Sequence, residues 1–162
     1  MAIEIERKFL VSSDAWRDAA RSRSTLRQGY LNREGPASVR VRTSDEHAWL
    51  NIKSRELGVS RREYEYPMPV ADADEMLGDL CQGPLVEKIR YEVPVDGHVW
   101  EVDEFLGDNA GLVVAEIELS QADEAFTPPP WLGREVTDES RYYNMNLSTR
   151  PYCRWGDEER KP

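Results

Sequence analysis

Sulfur, imidazole and long apolar runs are all scarce in this chain of 162 residues. It has two cysteines and two histidines, and no stretch approaches the roughly 20 consecutive apolar residues of a membrane span. Cys81 and Cys153 are too few for a disulfide framework and are not spaced as a metal-ligand pair, which fits a reducing cytosol. The opening MAIEIERKFLV alternates charged with apolar residues, so it cannot act as the apolar core of a signal peptide. A cytoplasmic protein without membrane contact is expected. Positive charge is also in deficit: 21 Lys and Arg face 31 Asp and Glu, a net charge of −10 that would repel a nucleic-acid backbone. The length suits one domain and not two independent cores.

What the chain has in quantity is charge, 32% of its residues, arranged with a period of two. Ile3, Ile5 and Phe9 alternate with Glu4, Glu6 and Lys8, the spacing of a strand and not of a helix. The split recurs in Val39 and Val41 against Arg40 and Arg42, and in Tyr64 and Tyr66 against Glu63 and Glu65. It returns in Ile89, Tyr91 and Val93 against Lys88 and Arg90, in Trp100 and Val102 against Glu101 and Asp103, and in Ala115, Ile117 and Leu119 against Glu116 and Glu118. Two further strands are predicted over 26–31 and 49–54, the second carrying Lys53, for a total of about eight. Asp96-Gly97 between two alternating runs predicts a tight hairpin. Helices are predicted over 13–22, 71–80 and 138–147, with Ser13 and Thr137 as N-caps. Residues 1–150 form the domain, and 151–162 read as a polar tail whose composition allows disorder.

A solvated sheet face usually mixes Thr, Ser, Gln and Lys. Here the polar positions are almost all ionised and come as same-sign i, i+2 pairs, which sit about 7 Å apart on one face and repel. Closing the strands into a barrel puts this face in a lumen and the apolar face outside, under the helices. Glu4, Glu6, Glu63, Glu65, Glu101, Asp103, Glu116 and Glu118 form an acidic set suited to a hard divalent cation, Mg²⁺ or Mn²⁺. Lys8, Arg40, Arg42, Lys53, Lys88 and Arg90 form a basic set suited to phosphate oxygens, with Arg61 placed equally well in the lumen or on an exposed loop. Trp16, Trp100 and Trp131 are expected to pack against the barrel rather than stack on a ligand.

These residues fall in an ordered series: EIERKFLV at the start, RQGYL at 27–31, VRVR at 39–42, Ile52-Lys53, SRREYE from Ser60 and EKIRY from Glu87. WEVDEF from Trp100, AEIEL from Ala115, PWLGREVT from Pro130 and RYYN from Arg141 complete it. The series resembles the CYTH superfamily, the triphosphate tunnel metalloenzymes, over nearly the whole chain. The resemblance implies a mainly β (α+β) fold, an eight-stranded antiparallel β-barrel tunnel with a charged lumen and a few covering helices. It implies Glu4, Glu6, Glu116 and Glu118 as metal ligands, with Glu63, Glu65 and Asp103 available to a second ion or an activated water. It places Arg40, Arg42, Lys53, Lys88 and Arg90 on phosphate oxygens and Lys8 with Tyr30 at the reactive end. Arg141 would face inward from a helix that plugs one mouth. The family includes thiamine triphosphatases, class IV adenylate cyclases and messenger-RNA capping triphosphatases, but the start, RQGYL, the short length and PPPWLG are most similar to small bacterial inorganic triphosphatases. Metal-dependent hydrolysis of tripolyphosphate to diphosphate and phosphate is the expected activity. A thiamine triphosphatase, a cyclase and a non-enzymatic polyphosphate-binding or nucleotide-binding module are the alternatives, and a homodimer is left open.

Overall fold

The structure, a computed structural model, describes residues 2–162. Its strands are β1 (Ala2–Val11), β2 (Ser22–Tyr30), β3 (Ala37–Thr43), β4 (Ala48–Ser54), β5 (Ser60–Met68), β6 (Gln82–Val95), β7 (His98–Phe105), β8 (Val113–Glu118) and β9 (Leu132–Glu135). Eight of them close an antiparallel barrel in the order β1-β5-β4-β3-β2-β6-β7-β8 and back to β1. Closure depends on β1, which pairs with β5 along Ala2–Ile5 on one edge and with β8 along Glu6–Phe9 on the other. The unforeseen β9 takes over from β5 on that first edge, at Phe9 and Val11. Asp96 (φ 45°) and Gly97 (φ 84°) are both left-handed, as a two-residue hairpin of type I′ requires, and they set Val95 opposite His98.

The apolar parity faces outward and is covered piecemeal. Phe9, Val93, Trp100, Val102, Ala115 and Ile117 are buried beneath Trp16, Leu119, Trp131 and Phe126, with Trp100 meeting Trp131 edge-on at 5.7 Å. Farther round, α2 (Val70–Asp79) lays Ala73 and Leu77 over Val41 and Ala48. The three tryptophans are thus packing residues, as expected.

The lumen is not charged throughout. Glu4, Glu6 and Lys8 on β1 lead to Leu10, and Glu118 and Glu116 on β8 lead to Val114. Arg90 and Lys88 on β6 lead to Val86, and Glu101 and Asp103 on β7 lead to Phe105. The four apolar ends converge with Leu112, Val136, Tyr142, Leu147 and Trp155 in one buried cluster. One end of the barrel therefore carries an apolar stopper on the β6-β7-β8-β1 side.

Two of the expected helices are broken. The 13–22 stretch contains only α1 (Trp16–Ala19); Ala20 is extended and the Arg21 N–H donates to the Glu92 carbonyl, so Ser22 onward joins β2 against β6. The 138–147 stretch is a 3-10 turn, Ser140–Tyr142, and a single turn, α3 (Asn144–Leu147), separated at Tyr143 with ψ 135°. There the Tyr143 hydroxyl donates to the Thr137 carbonyl at 2.6 Å and Asn146 Nδ2 to the Ser140 carbonyl at 2.7 Å, and such side-chain bonds compete with helical pairing. Neither expected N-cap forms. Ser13 Oγ accepts from Ala15 N–H in a turn before α1, and Thr137 Oγ1 accepts from Lys8 N–H at 3.0 Å, which ties it to β1. Beyond Pro151 the chain keeps an anchor, Trp155, buried against Tyr142 at 5.1 Å between ring centres. No helix among the described residues is long and apolar enough to cross a membrane.

Gly29 on β2 passes under the end of α2, where an added Cβ would stand 2.7 Å from Cys81 Sγ and 2.8 Å from Leu85 Cδ2. Gly29→Ala should cost about 1 to 3 kcal/mol by overpacking. Urea unfolding reads this directly, and an unchanged midpoint would contradict the close approach.

Candidate active site

Beside the stopper, on the side walled by β2 to β5, the lumen widens into a cavity of about 380 Å³. Strand alternation delivers its wall: Glu6 and Lys8 from β1, Tyr30 from β2, Arg40 from β3, Lys53 from β4, Arg61 from β5 and Glu116 from β8. Tyr143, Asn144 and Met145 cover it, and Arg55 stands at its rim just beyond β4.

Register determines the pairings. Lys8 lies opposite Glu116 across β1 and β8, and its Nζ reaches Glu116 Oε1 at 2.7 Å and Glu6 Oε1 at 3.0 Å. Burial alone would lower the Lys8 pKa, but Glu116 and Glu6 raise it above the ordinary lysine value. Conversely, burial would raise the Glu116 pKa, but Lys8, Arg90 and Lys88 hold it well below the usual carboxylate range. Lys53 bridges Glu4 at 2.9 Å and Glu63 at 3.2 Å. Deeper in, fully buried Asp103 accepts from Arg90 Nε at 2.8 Å and from Lys88 Nζ at 2.7 Å, and Arg90 also reaches Glu101 at 2.8 Å. Arg42 donates to Gln28 Oε1 at 3.2 Å.

Of the residues singled out in the sequence, Lys8, Tyr30, Arg40 and Lys53 meet in the cavity with Glu6 and Glu116. Others do not reach it. Lys88 is fully enclosed between Asp103 and Asn144, where burial lowers its pKa to about 7 despite Asp103. Both Asp103 oxygens are occupied by Arg90 and Lys88, so it acts here as a buried counter-ion and not as an open ligand. Glu65 is exposed and accepts from Asn51 Nδ2 at 2.6 Å, while Glu118 is exposed at the end of β8. Arg141 does not face in: without a continuous helix to aim it, it pairs with Glu139 at 3.0 Å and lies over the Tyr142 and Trp155 rings.

Arg61 does line the cavity, with its guanidinium 5.2 Å from the centre of the Tyr143 ring. Its parity with Glu63 and Glu65 was the signal for this. Arg55 and Asn144 carried no such signal, because each lies outside an alternating run. Arg40 Nε, Arg55 Nε and Nη2, and Arg61 Nε are buried with no hydrogen-bond partner. Arg55 Nη1 does donate to the Arg33 carbonyl, but buried guanidinium nitrogens without a partner are costly, so this wall suits an anion.

Residues 2–152 match the family model described as the CYTH domain. The chain belongs to the CYTH family. It is 49% identical over 152 residues to an inorganic triphosphatase of Acetivibrio thermocellus, spanning 94% of this chain and 97% of that one. To an inorganic triphosphatase of Nitrosomonas europaea it is 40% identical over 149 residues, spanning 90% and 96%. A crystal structure of an inorganic triphosphatase overlays it with a TM-score of 0.66 at 38% identity, covering 90% of this chain and 97% of that one. The closed antiparallel barrel is thus the CYTH tunnel.

This family membership implies a divalent metal, and the donor chemistry of the lumen fits one. Although Glu118 is exposed as a residue, partial desolvation of its carboxyl, then Glu4, Glu101 and Glu6, raise its pKa, and burial with Glu63 raises that of Glu4 against the opposing pull of Lys53. Carboxylates that raise one another's proton affinity mark a negative field awaiting a cation, and all-oxygen donors suit a hard one. No three acidic, His or Cys side chains among the described residues converge as a preformed metal site; lysines and arginines hold the carboxylates instead.

The Lys8–Glu116 pair makes stability depend on pH in a defined sense. Because the folded pKa of Glu116 lies below its ordinary 4.5, its contribution is present above that ordinary value and is lost as pH falls through the lowered one. Glu116→Gln should therefore cost about 3 kcal/mol at neutral pH, with the gap to wild type closing in strong acid. Thermal melts across pH would show it, and a gap independent of pH would refute this account of the pair.

Proposed function

We propose that this chain is a metal-dependent inorganic triphosphatase that hydrolyses tripolyphosphate to diphosphate and phosphate inside its barrel. The observation that carries the reading is the set of buried, unpartnered guanidinium nitrogens of Arg40, Arg55 and Arg61 beside Lys8 and Lys53 in one cavity. Two relatives that align over nearly their whole length carry the name inorganic triphosphatase, and the net charge of −10 disfavours nucleic acid as the anion.

Phosphoryl transfer to water needs little covalent help. It needs charge neutralisation, an in-line water and a held leaving group. In this reading Arg40, Lys53 and Arg61 bind phosphate oxygens, with Arg42 and Arg90 supplying positive field from beneath and Lys88 enclosed behind the wall. Lys8, kept charged by Glu116 and Glu6, exchanges a carboxylate for a phosphate oxygen, and Tyr30 positions that end of the chain with it. Glu63 is held ionised by Glu4 and Lys53 in spite of its burial, which leaves it able to accept a proton from the attacking water, with Glu65 next along the same face. Glu4, Glu6, Glu116 and Glu118 would hold a divalent cation, Mg²⁺ or Mn²⁺, which when bound supplies neutralisation of the phosphate charge.

Phosphate release from tripolyphosphate, ATP and thiamine triphosphate, measured in parallel with Mg²⁺ and with Mn²⁺, tests the assignment. kcat/KM for tripolyphosphate should exceed that for ATP by at least about two orders of magnitude, or roughly 3 kcal/mol. Equal efficiencies, or formation of cyclic AMP, would move the assignment to another branch of the family. Arg40→Ala should raise KM by about 10- to 100-fold, the loss of one charge-assisted contact, and an unchanged KM would remove Arg40 from the phosphate site.

A further inference from the structure

Lys88 and Asn144 pose a geometric question that the ionic wall alone does not answer. Lys88 is fully buried, yet it donates at 3.0 Å to Asn144 Oδ1 on the segment that covers the cavity, while its ion-pair partner is Asp103 at 2.7 Å. The contact is Lys88 Nζ donating to the amide oxygen, and Asp103 at 2.7 Å favours the ammonium form, which has donors and no acceptor. The amide nitrogen, with both its N–H groups, must then point away from Lys88. Asn144 lines the cavity, and nothing among the described residues accepts from its Nδ2. The backbone beside it is held too, since the Tyr143 hydroxyl donates to the Thr137 carbonyl at 2.6 Å.

We propose that Asn144 is a substrate-binding residue, whose Nδ2 donates to a phosphate oxygen of the bound chain, and that Lys88 is the positioning residue that sets the orientation of this amide. Asp103 holds Lys88, and Arg90 holds Asp103, so the ionic network behind the wall ends in a neutral donor over the substrate. The charges of Lys8 and Lys53 are shared with carboxylates, whereas the Asn144 amide gives up no partner when a phosphate arrives. The assignment rests on the triphosphatase reading and gives Lys88 an indirect role in place of direct contact with phosphate.

Asn144→Asp and Asn144→Ala separate this from a purely structural tether. The aspartate keeps an oxygen toward Lys88 and strengthens that contact, but it replaces the donor over the substrate with a negative oxygen. Its melting temperature should match or exceed that of wild type, while kcat/KM for tripolyphosphate falls more than about 100-fold. Asn144→Ala should raise KM about tenfold with a smaller change in kcat, as expected for the loss of one hydrogen bond to a charged group. A tether predicts the reverse: wild-type kinetics for Asn144→Asp and a lowered melting temperature for Asn144→Ala. Wild-type kcat/KM in Asn144→Asp, or wild-type KM in Asn144→Ala, would overturn the assignment while leaving an active triphosphatase. A wild-type protein that releases no phosphate from tripolyphosphate would overturn both.

Discussion

Ionised side chains enclosed in the barrel must find opposite charge, and most of the architecture follows from that requirement. Removing a carboxylate or an ammonium from water costs several kcal/mol, and ion pairing often does no more than offset it. The lumen meets the cost with clustered ion pairs in which Glu6 and Glu116 hold Lys8, Arg90 and Lys88 hold Asp103, and Glu4 and Glu63 hold Lys53. Such pairing is weak evidence for stability. What it provides is a fixed array of charges that a polyanion and a cation can enter by exchange, at sites already desolvated.

The inversion of the usual barrel, with ions inside and apolar residues outside, has two structural consequences. The outer face needs cover, and α2, the tryptophans and the segment around Phe126 supply it. The lumen also needs an end, because a charged channel running through the molecule would leave still more ions to be paired. Leu10, Val86, Phe105 and Val114 provide that end by continuing the luminal parity with apolar residues. The stopper also carries Tyr142 and Leu147, which flank the residues covering the cavity, so core packing and the placement of Asn144 are one problem.

Much of this was legible in the sequence because a strand repeats every two residues and a barrel has only two faces. The alternation that put Glu4, Glu6 and Lys8 on one face also sorted β3 to β8, and the structure keeps Arg40, Lys53 and Glu116 on that face; β2 carried no such alternation and β9 was not foreseen. The short connections were less legible. Periodicity predicted helices over 13–22 and 138–147, but the bond from Arg21 N–H to the Glu92 carbonyl leads the chain into β2, and the second stretch is broken where Tyr143 turns to Thr137. Arg141 lost its inward aim with that break. Arg55 and Asn144 lie where no alternation runs, so local pattern carried no sign of them.

The sequence by itself determined which side chains share a face, because parity is a local property of the extended chain, and its ordered motifs were enough to point to the family. Only the tertiary structure decided which of those side chains meet. Asp103 and Lys88 have the same parity as their neighbours and the right chemistry for a ligand or a phosphate contact, yet they are consumed by each other and by Arg90. Arg40, Arg55 and Arg61 are left with unpartnered nitrogens at the cavity. Whether a buried charge stays available depends on the distances to every other charge in the closed barrel. Those distances come from strand register and from how the chain packs over the open end.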